Sequence, residues 1–312
     1  MLAALPKAAF SALAGSTPLK RFASRYGMRS PASFARRFVA GESADDAIAA
    51  ARDLEAAGMT VTLDLLGESV ATTAEAQDAT RGYLALIEAI AAAGISRNIS
   101  LKLTQLGLDV DMATALDNVR RILEHTEPAG FFVRIDMEGS GHVERTLELF
   151  HTVWDMGHRE VGVVIQSYLR RSEADVRRLN ALGARVRLVK GAYREPRQVA
   201  YQQKPKVDEQ FVALMRLLLA DGTYPAIATH DPAMIDATTR FAREQGIAKA
   251  RFEFQMLYGI RRDLQAALTG EGYPFRVYVP FGREWFPYFM RRLGERPANI
   301  GFVLRSLLRE GR

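Results

Sequence analysis

The stretch RVRLVKGAY, residues 185–193, is a β-rich run of alternating apolar residues that ends in polar groups. Seven other stretches share this pattern: VTLDLLGE (61–68), ISLKLTQ (99–105), FFVRIDME (131–138), VGVVIQSY (161–168), PAIATHD (225–231), RFEFQML (251–257) and FRVYVPF (275–281). Each run is followed by an Ala-, Leu- and Arg-rich stretch with helical spacing, and repeats of about 25–40 residues are typical of βα units. Eight such units predict an α/β fold, a (βα)8 barrel of the TIM type.

The barrel is predicted to occupy residues 45–312, and residues 1–44 are predicted to form an N-terminal helical arm. The alternative is a doubly wound sheet, which normally binds a nucleotide at a Gly-rich first turn. The chain contains neither a G-x-G-x-x-G nor a Walker-type motif, and the fragment GSGH (139–142) completes neither pattern. The sequence therefore favours the barrel.

The composition is that of a globular protein, with 48% of the 312 residues hydrophobic and 25% charged. No apolar run approaches the length of about 18 residues that a membrane-spanning helix needs. The chain has no cysteine. This excludes disulfides, cysteine-based zinc sites, a cysteine nucleophile and a flavin attached through a thioether. It is also consistent with a reducing cytoplasm, where we expect the protein to be located.

The formal net charge is +6, from 42 Lys and Arg against 36 Asp and Glu. Such an excess suits nucleic acid, an anionic membrane surface or anionic ligands. No nucleic-acid-binding motif or dense basic run is present, so we expect no nucleic-acid partner. Residues 1–30 combine Leu, Phe and Ala with five basic residues and no acid. This segment is either a basic amphipathic arm on an anionic membrane or a helix packed on the body; we favour the second.

Polar side chains stand at the end of every predicted strand, where the active site of a (βα)8 barrel lies. They are Asp64, Lys102, Asp136, Gln166, Lys190 with Tyr193, His230, Gln255 and Tyr278. A polar group beside an apolar strand costs free energy unless it is paired. Polar groups at eight equivalent positions therefore indicate a ligand site at the mouth of the barrel.

Lys102 and Asp136 lie on neighbouring predicted strands. They are expected to form a salt bridge and to contact the substrate together. A lysine in a barrel strand is also a candidate Schiff-base nucleophile, because desolvation lowers its pKa. Lys102 or Lys190 would serve an aldolase or lyase in this way, and the residues alone leave this alternative open.

The segments VRLVKGAYREP and ATHD carry further polar groups. Arg187 and Lys190, at one strand end, suit a phosphate or an anionic cofactor ring, and Gly191 permits a close backbone approach. His230 is a candidate acid or base, metal ligand or hydrogen-bond donor to a cofactor. The other histidines lie in predicted helices or loops, and no H-E-x-x-H motif occurs. The sequence therefore predicts no metal site.

The stretch YFMRRLGERP, residues 288–297, follows the eighth predicted strand. Its Tyr288, Arg291, Arg292 and Glu295 fall at offsets 0, 3, 4 and 7, which is one face of a helix. The simplest interpretation is a solvated face with an ion pair between Glu295 and an arginine. Because the helix directly follows strand eight, its start is expected to lie over the barrel mouth. There two guanidinium groups can grip a carboxylate.

The motifs RLVKGAYRE, ATHD, EFQMLYGIR and YFMRRLGER, in this order and at these strand ends, resemble the monofunctional bacterial proline dehydrogenases. The resemblance covers roughly residues 45–305, and its last motif is similar to the family signature Y-x-x-R-R-x-x-E. It implies a distorted (βα)8 barrel with a C-terminal helix over the mouth, and non-covalent FAD. It also implies oxidation of L-proline to Δ1-pyrroline-5-carboxylate, the first step of proline catabolism, by hydride transfer to flavin N5.

The resemblance assigns two groups of residues. The substrate carboxylate and ring would be bound by Arg291, Arg292, Lys102, Asp136, Tyr278, Leu257 and Tyr193. The cofactor would be held by Gln166, Arg187, Lys190, Gly191, Ala192, Thr229 and His230, with Glu295 positioning the arginines or the cofactor. Two positions depart from the family pattern: Arg194, where an aromatic residue is common, and Asp231, where asparagine is common.

The resemblance also implies partners. They are L-proline and a membrane quinone that receives the electrons, so we expect peripheral contact with the inner membrane. The sequence leaves the oligomeric state open.

Overall fold

The computed structural model describes Met28 and residues 34–295, the last three of them by their backbone alone. Within this part of the chain, eight parallel strands close a barrel in sequence order. They are β1 (Thr60–Leu65), β2 (Asn98–Leu101), β3 (Phe132–Ile135), β4 (Val161–Gln166), β5 (Arg185–Val189), β6 (Ala226–Ala228), β7 (Glu253–Leu257) and β8 (Phe275–Phe281). The predicted (βα)8 barrel is confirmed, and each predicted run overlaps one strand.

An α-helix follows every strand. Helix α1 (Ala44–Ala56) precedes β1, and the helices after the strands are α2 (Thr73–Ala93), α3 (Met112–Thr126), α4 (Ser140–Asp155), α5 (Ser172–Leu182), α6 (Lys204–Asp221), α7 (Pro232–Glu244), α8 (Arg262–Gly270) and α9 (Trp285–Glu295). Local sequence sets several of their ends. Ser43 caps α1 in a capping box with Asp46, and left-handed Gly94 ends α2. These are the residue types that stabilise the two ends of a helix.

Successive residues of a strand alternate between the surrounding helices and a polar barrel interior. On β1, Val61 and Leu63 are fully buried in the apolar core. Thr62, between them, points to the interior, where its hydroxyl oxygen lies 3.1 Å from that of Ser100. Asp64, the next residue on that face, accepts a hydrogen bond from Lys102. The period of two is that of any β-strand. It explains why charged residues interrupt otherwise apolar runs in this sequence.

Arg134 is buried in the barrel interior, and it fits there only because residue 162 is a glycine. Arg134 donates to the carbonyl oxygens of Val163 and Arg185 at 3.2 and 2.5 Å. Its guanidinium also lies 4.8 Å from the ring centroid of Phe132. A Cβ atom at Gly162 would lie 2.6 Å from Arg134 Nη1 and 2.8 Å from Phe132 Cζ. Glycine is therefore required there for space.

Helix α9 is held by the N-terminal part of the described chain. A short 3-10 helix, Phe34–Arg37, leads to Phe38, whose ring centroid lies 6.1 Å from that of Phe289. The indole N–H of Trp285 donates to Glu42 at 2.9 Å. These contacts fix the position of α9 above β8.

The predicted N-terminal arm, residues 1–44, lies mostly outside the described residues, so its helical structure stays a prediction. Among the helices that the structure describes, none is long and apolar enough to cross a membrane.

We predict that Gly162→Ala lowers the free energy of unfolding by about 1–3 kcal/mol, the usual cost of forcing extra volume into a packed interior. Urea denaturation followed by circular dichroism would measure it. Gly141→Ala is the matched control, because a Cβ atom there meets nothing within 4 Å. Within helix α4, that substitution should leave stability unchanged or raise it by up to about 1 kcal/mol. Equal effects of the two substitutions would contradict the crowding at Gly162.

Candidate active site

A cavity of about 610 Å³ opens at the carboxyl ends of the strands. Every residue that the resemblance assigns to substrate or cofactor, except Glu295, lines it: Lys102, Asp136, Gln166, Arg187, Lys190, Gly191, Ala192, Tyr193, Thr229, His230, Leu257, Tyr278, Arg291 and Arg292. Of the polar groups predicted at the strand ends, Gln255 also lines the cavity, whereas Asp64 does not. The side chain of Glu295 lies outside the described residues. The strand-end pattern thus converges on one site, while the role of each residue stays a prediction.

Asp136 is the centre of the cavity floor. Its Oδ1 accepts from Arg187 Nη1 at 2.8 Å, and its Oδ2 accepts from the hydroxyl of Tyr278 at 2.7 Å. Arg187 also donates to the hydroxyl of Ser100 at 3.0 Å. One carboxylate therefore fixes the orientation of an arginine from β5 and a tyrosine from β8.

The predicted ion pair of Lys102 with Asp136 is present, but the hydrogen bonds of Lys102 go to a second carboxylate, that of Asp64. Its ammonium lies 3.1 and 3.2 Å from the two oxygens of Asp64 and 3.9 Å from Asp136. Burial alone lowers the pKa of Lys102, but the charges of Asp64 and Asp136 outweigh it and raise the pKa well above its usual value. The side chain is thus an ammonium at any physiological pH.

Two tyrosines on the cavity wall keep their protons. Burial, aided by the charge of Asp136, raises the pKa of Tyr278 well above its usual value. Burial raises the pKa of Tyr193 to about 12. Both phenols are neutral at physiological pH, and Tyr278 donates its proton in a hydrogen bond to Asp136.

Arg187 and Lys190 line the same cavity but have separate partners. Arg187 points into the barrel, whereas Lys190 lies at the rim between Asp208 at 2.5 Å and Asp231 at 2.7 Å. Lys204 contacts the same two carboxylates. The sequence did not indicate that two aspartates offset the charge of Lys190.

His230 holds β6 against β7. The backbone N–H of Leu257 donates to its Nε2 at 3.0 Å. Nε2 therefore carries no proton, and the proton of the neutral ring is on Nδ1. Among the residues that the structure describes, no group of three His, Cys, Asp or Glu side chains could hold a metal ion.

Helix α9 brings two arginines to the mouth. Arg291 forms an ion pair with Glu68 at 2.6 Å, and Glu68 lies in the loop after β1. The guanidinium of Arg292 lies 5.2 Å from the ring centroid of Tyr288. The sequence pointed to Glu295 as the partner of the arginines. Glu68 was missed because 223 residues separate it from Arg291, and no local pattern joins them.

Several buried polar atoms at the cavity have no partner within the described residues. They are Gln166 Oε1, Gln255 Oε1 and Arg187 Nε. An unsatisfied buried group costs about 1–3 kcal/mol. All three side chains belong to the cavity lining, which suits a polar ligand.

Comparison with known families identifies the kind of enzyme to which this geometry belongs. A family model described as proline dehydrogenase matches residues 47–305. The chain belongs to the proline dehydrogenase family. It is therefore an enzyme, an oxidoreductase with proline dehydrogenase activity, and the resemblance seen in the motifs is confirmed.

Individual relatives agree with this assignment. Proline dehydrogenase of Deinococcus radiodurans is 46% identical over 281 residues, covering 89% of this chain and 91% of that protein. Proline dehydrogenase 2 of Bacillus subtilis strain 168 is 40% identical over 301 residues, covering 96% and 98%. The crystal structure of proline utilization A from Bdellovibrio bacteriovorus, inactivated by N-propargylglycine, is similar with a TM-score of 0.79 and 29% identity. This likeness covers 86% of this chain and 33% of that one.

We predict that Asp136→Ala lowers the free energy of unfolding by about 3–5 kcal/mol, because it leaves Arg187 as an unpaired charge in the barrel. Chemical denaturation would measure the change. Asp117→Ala is the control: it breaks an ion pair with Arg120, in which the side chains are 42% and 56% exposed. Exposed pairs of this kind contribute less than about 1 kcal/mol. A loss at Asp136 no larger than that at Asp117 would show that the floor does not depend on this carboxylate.

Proposed function

We propose that the enzyme binds FAD non-covalently and oxidises L-proline to Δ1-pyrroline-5-carboxylate. One observation carries the proposal. Arg291 and Arg292, consecutive residues of α9, line the same cavity as the Asp136 floor. The polar network of Asp136 closes this cavity from below. Two guanidinium groups at its mouth suit a small amino acid that is held by its carboxylate.

The substrate side of the cavity is formed by charged and apolar groups together. Arg291 and Arg292 bind the substrate carboxylate, and the permanent ammonium of Lys102 adds positive charge to the same region. Tyr278 and Leu257 form the apolar wall for the pyrrolidine ring. Because Tyr278 is tied to Asp136, its ring is held in one position against the substrate. Such fixed walls orient a substrate without further rearrangement.

The cofactor side is formed by Gln166, Arg187, Lys190, Gly191, Ala192, Thr229 and His230. The unpaired buried atoms Gln166 Oε1 and Arg187 Nε fit a heterocycle with donors and acceptors on its edge. Because the chain has no cysteine, a thioether link to the flavin is excluded. When bound, FAD supplies the acceptor for the hydride lost from the carbon next to the substrate nitrogen. Arg187 adds positive charge beside it, and Glu295 is proposed to help hold the arginines or the cofactor.

A Schiff-base aldolase or lyase is not favoured. Such chemistry needs a lysine that loses its proton readily, whereas Asp64 and Asp136 hold the proton on Lys102. Lys190, the other candidate, is clamped between Asp208 and Asp231 at the rim.

The electron acceptor is proposed to be a membrane quinone, reached by peripheral contact of a cytoplasmic protein with the inner membrane. The net charge of +6 supports attraction to an anionic surface.

We predict that the purified protein shows visible flavin absorbance that bleaches when L-proline is added under anaerobic conditions. The spectrum is recorded before and after the addition, and D-proline serves as the control ligand. A colourless protein would argue against FAD. A coloured protein that L-proline does not bleach would argue against the substrate.

We predict that Arg291→Met and Arg292→Met each raise the KM for L-proline by about 10- to 100-fold, since each removes a charged hydrogen-bond donor to the carboxylate. Bound FAD, measured by the ratio of visible to ultraviolet absorbance, should be retained. Arg177→Met is the control, because Arg177 is 60% exposed and pairs with Glu173 on the outer helix α5. A wild-type KM in both site variants would refute the carboxylate grip.

A further inference from the structure

Helix α4 begins without a capping side chain of its own. Its N-cap residue is Gly139, which makes no side-chain cap. The carboxylate of Glu195, 55 residues further along the chain, accepts from the backbone N–H of Ser140 at 2.7 Å and from the Ser140 hydroxyl. The first N–H groups of a helix have no partner within the helix and attract negative charge. Glu195 therefore caps α4 from a different element.

Glu195 belongs to the loop between β5 and α6, whose residues 191–193 line the cavity. Along this loop, Ala192 and Arg194 are exposed, while Tyr193 and Glu195 are partly buried. Tyr193 lines the cavity, and Glu195 lies two residues further along the same loop. Because only Arg194 separates the two residues, a contact that fixes Glu195 also restricts Tyr193.

Tyr168 supports the same loop from the end of β4. Its backbone N–H donates to the carbonyl oxygen of Lys190 at 3.0 Å, and its hydroxyl donates to Glu195 Oε1 at 3.5 Å. Gly191 has a φ of +110° and packs so closely on the Tyr168 ring that a Cβ atom would overlap it. The start of the loop is thus held by Tyr168, and its middle is held by Ser140 through Glu195. The last part of the loop is held separately, because the backbone N–H groups of Arg170 and Tyr201 donate to the carbonyl oxygens of Val199 and Tyr168.

We propose that Glu195 is a positioning residue that latches the β5–α6 loop onto helix α4 and thereby keeps Tyr193 against the cavity. The inference rests on the proposed function, in which Gly191 and Ala192 of this loop help to hold FAD. Glu195, Ser140 and Tyr168 do not themselves line the cavity, so they act through Tyr193 and its neighbours. Without the contact between Glu195 and Ser140, the loop separates from α4 and Tyr193 is displaced from the cavity. The cofactor then dissociates faster.

The test compares Glu195→Ala and Glu195→Gln with wild type. FAD release from the purified holoenzyme is followed by the rise of free-flavin fluorescence after dilution, and backbone hydrogen exchange by mass spectrometry reports on residues 190–199. We expect Glu195→Ala to release FAD about 10-fold faster or more, as the loss of a charge-assisted hydrogen bond implies, and to exchange faster in this segment. Glu195→Gln keeps an acceptor for the Ser140 N–H and should lie between the two.

The control is Glu209→Ala, which removes an exposed carboxylate of α6 that pairs with Lys206 at 2.8 Å. It should match wild type in both measurements. A residue that only caps α4 would change exchange near Ser140 but leave residues 190–199 and FAD release as in wild type. That result in Glu195→Ala would overturn the proposal.

Two further results are possible: a variant that does not fold, and a wild-type protein without FAD. If Glu195→Ala does not fold, Glu195→Gln and Ser140→Ala each weaken the latch, and exchange in residues 190–199 must rise in both for the proposal to stand. If the wild-type protein carries no FAD, the proposed function fails, while the exchange measurement still tests the latch.

Discussion

The carboxylate of Asp136 is the constraint on which the rest of the site depends. It stands at the end of β3, accepts hydrogen bonds from Arg187 of β5 and Tyr278 of β8, and lies 3.9 Å from Lys102 at the end of β2. A buried charge without partners costs several kcal/mol. If one of these groups moved away, its partner would be left buried and unpaired. The floor is consequently rigid, and groups brought to the mouth by helix and loop are placed relative to it.

The site divides into a floor built by strands and a rim built by loops. The floor groups are neighbours through the register of the barrel, and their bonds are buried. The rim is held by contacts between distant loops and helices: Glu68 with Arg291, Glu195 with Ser140, and Lys190 with Asp208 and Asp231. These contacts are more exposed and involve few groups each. Loops of this kind open more readily than the scaffold that carries them, so access to the cavity is decided at the rim.

Local patterns predict much of this arrangement. The eight strands, the helix after each, and the polar groups at the strand ends all follow from the alternation of apolar and polar residues along the chain. The partner of each charged side chain does not follow from this alternation. Lys102 has Asp64 and Asp136 within reach, and the register and twist of the barrel, which no local pattern encodes, decide that Asp64 lies nearer. Glu68 and Glu195 were missed for a related reason: each pairs with a group more than 50 residues away, and nothing in its own neighbourhood marks it.

Barrel closure joins the two ends of the described chain. Strand β1 pairs with β8 from Thr60–Arg276 to Leu65–Phe281, and Arg276 donates to the carbonyl oxygen of Val61 across 215 residues. During synthesis on the ribosome, the edge of β1 therefore stays without its final partner until β8 has emerged. An unpaired strand edge invites association with other chains. Helix α9 emerges later still, so the two arginines proposed to bind the substrate carboxylate are the last residues of the cavity lining to be made. A nascent chain that stalls before Arg291 would contain the residues of the cavity floor but lack both arginines of the mouth.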